Sequence, residues 1–299
     1  MIRCTFLLLT LSLVLAPARG KAEDTYTIKV KQAAKGDKTR SDKQVTETKM
    51  LKVKDSQGNV LQEKNETVVE KSAYQDTVLE KPPEESRPTR LRRTYDLAEV
   101  TKGDDKQMLP YHGKTVLIEK KGERYQFQIE GGEELTGDAA QFLEKEFNRK
   151  QKEFDFEKLV IPKKPVRVQE SWELDIDALC KELENTNGAD VDRDKCKAIA
   201  TLVKAYKQSG RQFGIINARL ELPVKRFKSK TKTSYDQAAT YGVEMTWDGC
   251  IDGSLNGGTL KFAIRLEGQG EVARGERKLK VTMKTDIHGQ ETQKELAQE

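Results

Sequence analysis

Asp190, Asp192 and Asp194 alternate along the chain with Asn185 and Asn187 just before them, the spacing with which a calcium loop presents its carboxylates. A loop starting at Asp190 would need glycine at its sixth position and glutamate at its twelfth, where Lys195 and Thr201 stand. This acidic segment is the chain's weak calcium candidate. Asp248 and Asp252, each followed by glycine, could work as the paired carboxylates of a hydrolase at suitable separation, although Asp-Gly is also a strong turn signal. His112 and His288 have no second ligand at zinc spacing, and C-x-x-C and H-x-x-x-H pairs are absent. Ser254, between Gly253 and Gly257, is misplaced for a G-x-S-x-G nucleophile elbow. Gly113-Lys114-Thr115 has Met108 where a phosphate loop needs its first glycine, and Gly268-Gln269-Gly270 lacks the third glycine of a dinucleotide turn and reads as the mouth of a hairpin. The residues therefore predict no catalytic centre, no metal and no cofactor.

Cys180, Cys196 and Cys250 follow the leader that contains Cys4. In an oxidising compartment the arithmetic is one disulfide and one free thiol. Cys180–Cys196 would close a loop over the acidic segment and contribute about 3 kcal/mol by loop entropy. Three free thiols are the alternative where oxidation is weak.

The leader sets the expected compartment. Met1-Ile2-Arg3 is a short basic n-region, Cys4 to Ala16 is an apolar run, and Ala16-Pro17-Ala18 offers the small residues of a cleavage site. A second cleavage point follows Gly20. As a helix the run spans about 20 Å, short of the ~30 Å of a hydrocarbon core. A signal peptide over residues 1–20, an extracytoplasmic protein and no transmembrane segment after cleavage are expected. Removing Arg3 and Arg19 lowers the formal charge from +5 to +3, or to +4 if cleavage falls after Ala18. Nucleic-acid binding wants a segregated basic patch with aromatics, and the run Lys225–Lys232 has one aromatic, Phe227, so no nucleic-acid partner is expected.

The elements that would position these residues are strands. Apolar residues recur with period two at Tyr26, Ile28 and Val30; at Tyr125, Phe127 and Ile129; at Ile216 to Val224; at Leu260 to Leu266; and at Leu279 to Ile287. Half-buried alternation of this kind belongs to antiparallel sheets and excludes a parallel α/β fold. Asp55–Asn59, Lys121-Gly122-Glu123 and Gln208–Arg211 supply hairpin turns. In Cys196–Tyr206 the residues Ala198, Ile199, Leu202, Val203 and Tyr206 fit a helix, but the Ser-Gly turn and the alternating strand after it favour a hairpin, so the segment reads as a strand. Asp138 with Gln141 is a capping-box pattern that opens a helix to about Gln151, and Ile176, Leu179, Cys180 and Leu183 stripe a shorter one ending near Asn187-Gly188. The proline-rich Glu80–Arg93 reads as an exposed, mobile crossing. The fold class is mainly β (α+β): curved antiparallel sheets or half-barrels with one or two flanking helices, in an N-terminal half 21–162 and a C-terminal half 163–299. Trp172 is expected in the core.

The lysine-rich N-terminal meander, the hairpin Gly113–Phe127 (GKTVLIEKKGERYQF), the Pro-x-x-Pro-V run ending in Glu170-Ser171-Trp172, and Ile251–Ser254 together resemble uncharacterised secreted β-rich proteins of bacteria, of the planctomycete kind. The resemblance implies no activity and no functional residues. The expected function is a non-catalytic binding or structural role in the cell envelope. One alternative is a carrier of an apolar ligand or lipid on a curved sheet; the other is a hydrolase built on the clustered carboxylates.

Overall fold

A computed structural model describes residues 24–148, 159–187, 189–227, 236–274 and 277–297. The leader 1–20, the expected helix end at 149–151, Gly188 and residues 228–232 of the basic run lie outside them.

Among the described residues most of the chain is one thirteen-stranded antiparallel sheet. From β2 (Lys38–Lys54) it walks by hairpins through β3 (Val60–Glu80), β4 (Arg90–Lys102) and β6 (Thr115–Lys121) to the edge strand β7 (Arg124–Ile129). The short β5 (Asp105–Met108) pairs with β4. After helix α1 (Gln141–Phe147) the chain crosses to the opposite edge, β9 (Ser171–Glu173), and forms helix α2 (Ile176–Asn187). It then returns through β11 (Lys197–Gln208), β12 (Arg211–Phe227), β13 (Asp236–Cys250) and β14 (Gly258–Arg274) to β15 (Arg277–Glu295). β15 pairs with β2 in register from Glu295↔Thr39 to Lys280↔Lys54, so the two halves are two ends of one sheet. β1 (Thr25–Tyr26) pairs with β8 (Val166–Arg167) beside it, and β10 (Ala189–Val191) adds to β12.

Directly paired residues share a face. One row runs Ala200–Ala218–Met245–Phe262–Gly289–Val45–Glu70–Val100 across eight strands. Ala200 and Val100, at the two ends of the row, are buried, and the side chains of this row mark the inner face. One core gathers Leu202, Ile216, Ala218 and Leu220 with half-buried Trp172. A second, at the β4–β7 end, gathers Tyr95, Ile118, Phe127 and Leu143 of α1. A third lies under α2, where Cys180 and Leu183 meet Leu222 and Val224.

The turns follow their chemistry. Asp55 Oδ1 accepts from the backbone N–H of Gln57 (2.9 Å) and Asn59 (2.8 Å), closing the β2–β3 hairpin. Ser209 and Gly210 both take positive φ (50° and 78°), as a two-residue turn with the twist of its strands requires.

Four expectations are corrected. Asp138 is not an N-cap, and no side-chain cap bond forms at the N-terminus of the 3-10 turn or of α1. Gly137 (φ 55°) turns the chain one residue earlier, so a 3-10 turn over Gly137–Ala140 with Thr136 as N-cap precedes α1. The crossing after β3 is only Lys81–Thr89, and it is pinned: Lys81 Nζ donates to the Glu85 carbonyl, and the Glu85 carboxylate accepts from Lys120 Nζ at 2.7 Å. Arg90–Arg93 belong to β4. Gly268–Gly270 lie inside β14, paired to Met283–Val281, and not at a hairpin mouth. Of Tyr26–Val30, only Tyr26 is in a strand, while Lys29 makes an isolated bridge to Asp252.

Candidate functional site

The inner face changes character at the middle of the sheet. At the β14–β15–β2 seam the rows read Phe262–Gly289–Val45, Ile264–Ile287–Glu47 and Leu266–Thr285–Lys49. Phe262, Ile264, Ile287 and Val45 are half-exposed and belong to none of the three cores among the described residues, although the Phe262 row is buried at its outer ends, Ala200 and Val100. The floor is flattened by glycine. A Cβ at Gly289 would lie 2.2 Å from Cζ of Phe262, so that ring lies down on the strand beside it. Trp247 lies in the same way over Gly249, where a Cβ would meet the indole at 2.3 Å.

A cleft of about 480 Å³ opens at one end of this stripe. Met245, Trp247 and Leu260 line it from β13 and β14; Glu291 and Gln293 line it from β15, and Arg87 from the pinned loop. One wall is apolar and the other polar.

Beyond the polar wall lies a charge network on the same face. Arg93 is 3% exposed. Its guanidinium grips Asp76 through two parallel bonds (Nε–Oδ1 2.8 Å, Nη2–Oδ2 2.9 Å), donates to Glu146 Oε1 at 2.9 Å, and sits 3.8 Å above the Tyr74 ring. Burial alone would lower its pKa; Asp76 and Glu146 outweigh that and hold it well above the ordinary value. Burial would raise Glu146, but Arg93 and Lys43 hold it below the usual carboxylate range. Lys43, directly opposite Glu291, is raised: burial opposes its charge, and Glu146, Glu70 and Glu291 overcome the opposition. Tyr74 OH lies 3.5 Å from Glu291 Oε1, which joins the network to the cleft.

The residues singled out for chemistry are dispersed. Asp190 lies in β10 and Asp194 in the 3-10 turn Arg193–Lys195, while Asp192 accepts ion pairs from Lys195 (3.1 Å) and Lys225 (3.4 Å). Among the described residues no group of three His, Cys, Asp or Glu converges as a metal would require. Asp248 accepts the Tyr206 hydroxyl at 2.6 Å, and burial plus this bond push that phenol up to about 12. Asp252 accepts from the backbone N–H groups of Gln212 (2.7 Å) and Ser254 (2.9 Å), which hold its carboxyl far below the usual range. It thus closes a turn. His112 Nδ1 accepts the Ala98 N–H at 3.1 Å, and His288 is exposed on the outer face. Cys180 and Cys196 are brought together, Sγ to Sγ at 3.6 Å, as two thiols. Trp172 is half-buried in β9 and donates from Nε1 to the Val160 carbonyl at 2.8 Å.

Sequence reasoning missed Arg93, Lys43 and the stripe. Leu91, Arg93 and Tyr95 alternate in β4, and the two apolar neighbours on that face were the available signal that Arg93 points inward.

No family model matches the chain, and no curated protein matches its sequence. Two solved structures overlay on much of its length. An engineered protein described under "Asymmetric conductivity of engineered proteins" shares 9% identity over 85% of this chain and 99% of its own, with a TM-score of 0.19. The P. putida toluene transporter TodX shares 7% over 89% of this chain and 92% of its own, with a TM-score of 0.18. Overlays this weak carry nothing over to the chain. No helix among the described residues is long and apolar enough to cross a membrane.

Proposed function

We propose that this is an exported, non-catalytic binding protein that holds the acyl chain of a lipid on the inner face of its sheet. The observation that supports this is the half-exposed stripe Phe262–Ile264–Ile287–Val45, on the face that elsewhere carries the cores. An uncovered apolar strip is costly at about 25 cal/mol per Å², and an acyl chain would remove it from water. The rings laid flat over glycine leave a shallow floor suited to a thin flexible chain. The cleft at its end is within the volume range of small-molecule sites. Its polar wall of Arg87, Glu291 and Gln293 would receive a headgroup. The candidate carboxylates favour this reading over hydrolysis, because Asp192, Asp248 and Asp252 each serve a structural bond.

The test is native mass spectrometry of the protein purified from its own envelope, followed by displacement of a fluorescent fatty acid. A co-purifying lipid mass is expected. Ile264→Lys and Ile287→Lys should weaken fatty-acid binding at least tenfold without lowering the Tm, while Arg265→Ala on the outer face should leave binding unchanged. Equal binding by all three variants would overturn the proposal.

A further inference from the structure

We propose that Cys180 and Cys196 are a redox site: a buried thiol pair that closes into a disulfide and latches α2 to the sheet edge. The inference is independent of the lipid reading. Their sulfurs are 3.6 Å apart, so a bond requires them to approach by about 1.5 Å, which side-chain rotation supplies. Both are buried, and the Cys196 thiol donates to the Asp192 carbonyl at 3.3 Å. The elements that carry them are already held against each other. Arg193, in the turn just before Cys196, donates to Asp177 (2.8 Å) and to Glu184 (3.0 and 3.1 Å), which lie on α2 on either side of Cys180. The juxtaposition is therefore fixed by a clamp that owes nothing to sulfur.

Cys250 is a third buried thiol in a different setting. It donates to Asp252 Oδ1 at 3.0 Å within its own turn. The pairing choice is accordingly made by the fold.

Closure removes two electrons and two protons from the two thiols and forms one S–S bond. A disulfide oxidant such as oxidised glutathione accepts them, its own S–S bond breaking to two thiols. Burial pushes the Cys180 thiol up to about 12, and burial also raises Cys196, so neither is an effective nucleophile in the closed fold. Exchange consequently proceeds through chains in which α2 has lifted, and once made the bond is shielded from reductant by the same packing. The latch fixes the loop that holds α2 over Leu222 and Val224, the core against which Leu266 packs.

The test uses the full chain equilibrated in oxidised and reduced glutathione, unfolded in denaturant, alkylated with iodoacetamide and mapped by mass spectrometry. Cys180 and Cys196 are expected to appear as one linked peptide pair, the chain lighter by two hydrogens, with Cys250 alkylated. Oxidation should speed up at least tenfold in urea below the unfolding midpoint. The oxidised protein should melt several degrees above the reduced one, and Cys196→Ser should abolish that difference. Should Cys196→Ser fail to fold, the melts of oxidised and reduced wild type decide alone. Full alkylation at all three positions after equilibration, or a linkage through Cys250, would overturn the proposal.

Discussion

Arg93 shows what a buried charge demands. Two carboxylates satisfy its fork, and the Tyr74 ring covers its face. Removing the guanidinium leaves Asp76 and Glu146 without their partner in a site largely shielded from water. Arg93→Met should therefore cost about 3–5 kcal/mol in urea denaturation, whereas Arg265→Ala, which breaks an exposed pair with Asp286, should cost under about 1 kcal/mol. The network also sets an acid limit. Because Glu146 is held below its ordinary value, its contribution is complete above the unfolded glutamate pKa of about 4.3 and is lost as pH falls through the lower folded value. Tm should drop below about pH 4, and Glu146→Gln should flatten that part of the profile. For Trp172, half-buried with its indole N–H bonded to Val160, Trp172→Ala should cost about 2 kcal/mol, less than the 3–5 of a fully buried ring.

At the scale of elements, the hairpins are built from local rules and the seams from close backbone approach. Gly258 opens β14 where a Cβ would lie 2.6 Å from the Asp248 carbonyl oxygen and 2.9 Å from the Gly249 Cα. Those neighbours are backbone and cannot swing aside. Gly258→Val should cost about 1–3 kcal/mol and be read as a lower denaturation midpoint. Period-two alternation made β7, β12, β14 and β15 legible, and the turn residues placed Asp55–Asn59, Gly122 and Gly210 and, through the last two, the partner strands β6 and β11. The capping box failed because Gly137 supplies its own turn upstream. Glu80–Arg93 reads as a mobile loop in the sequence because proline and charge describe composition, while the bonds from Lys81, Lys120 and Arg87 that hold it are tertiary.

At the scale of the whole molecule, the chain begins and ends its sheet in the middle. The β2–β15 pairing makes either half incomplete without the other. Urea unfolding followed by tryptophan fluorescence and by far-ultraviolet circular dichroism should give coincident single transitions. Two separated transitions would mean that the halves fold independently. By itself the sequence determined the mainly β antiparallel class, several strand positions and the hairpin turns, because alternation and turn chemistry act between residues close along the chain. Only the tertiary structure decided that β15 closes on β2 and not on a nearer strand, that Arg93 faces inward, and that the Phe262–Ile287 stripe stays uncovered. An alternating strand states that it has two faces. Which face meets a core depends on partners more than two hundred residues away, and no local pattern encodes them.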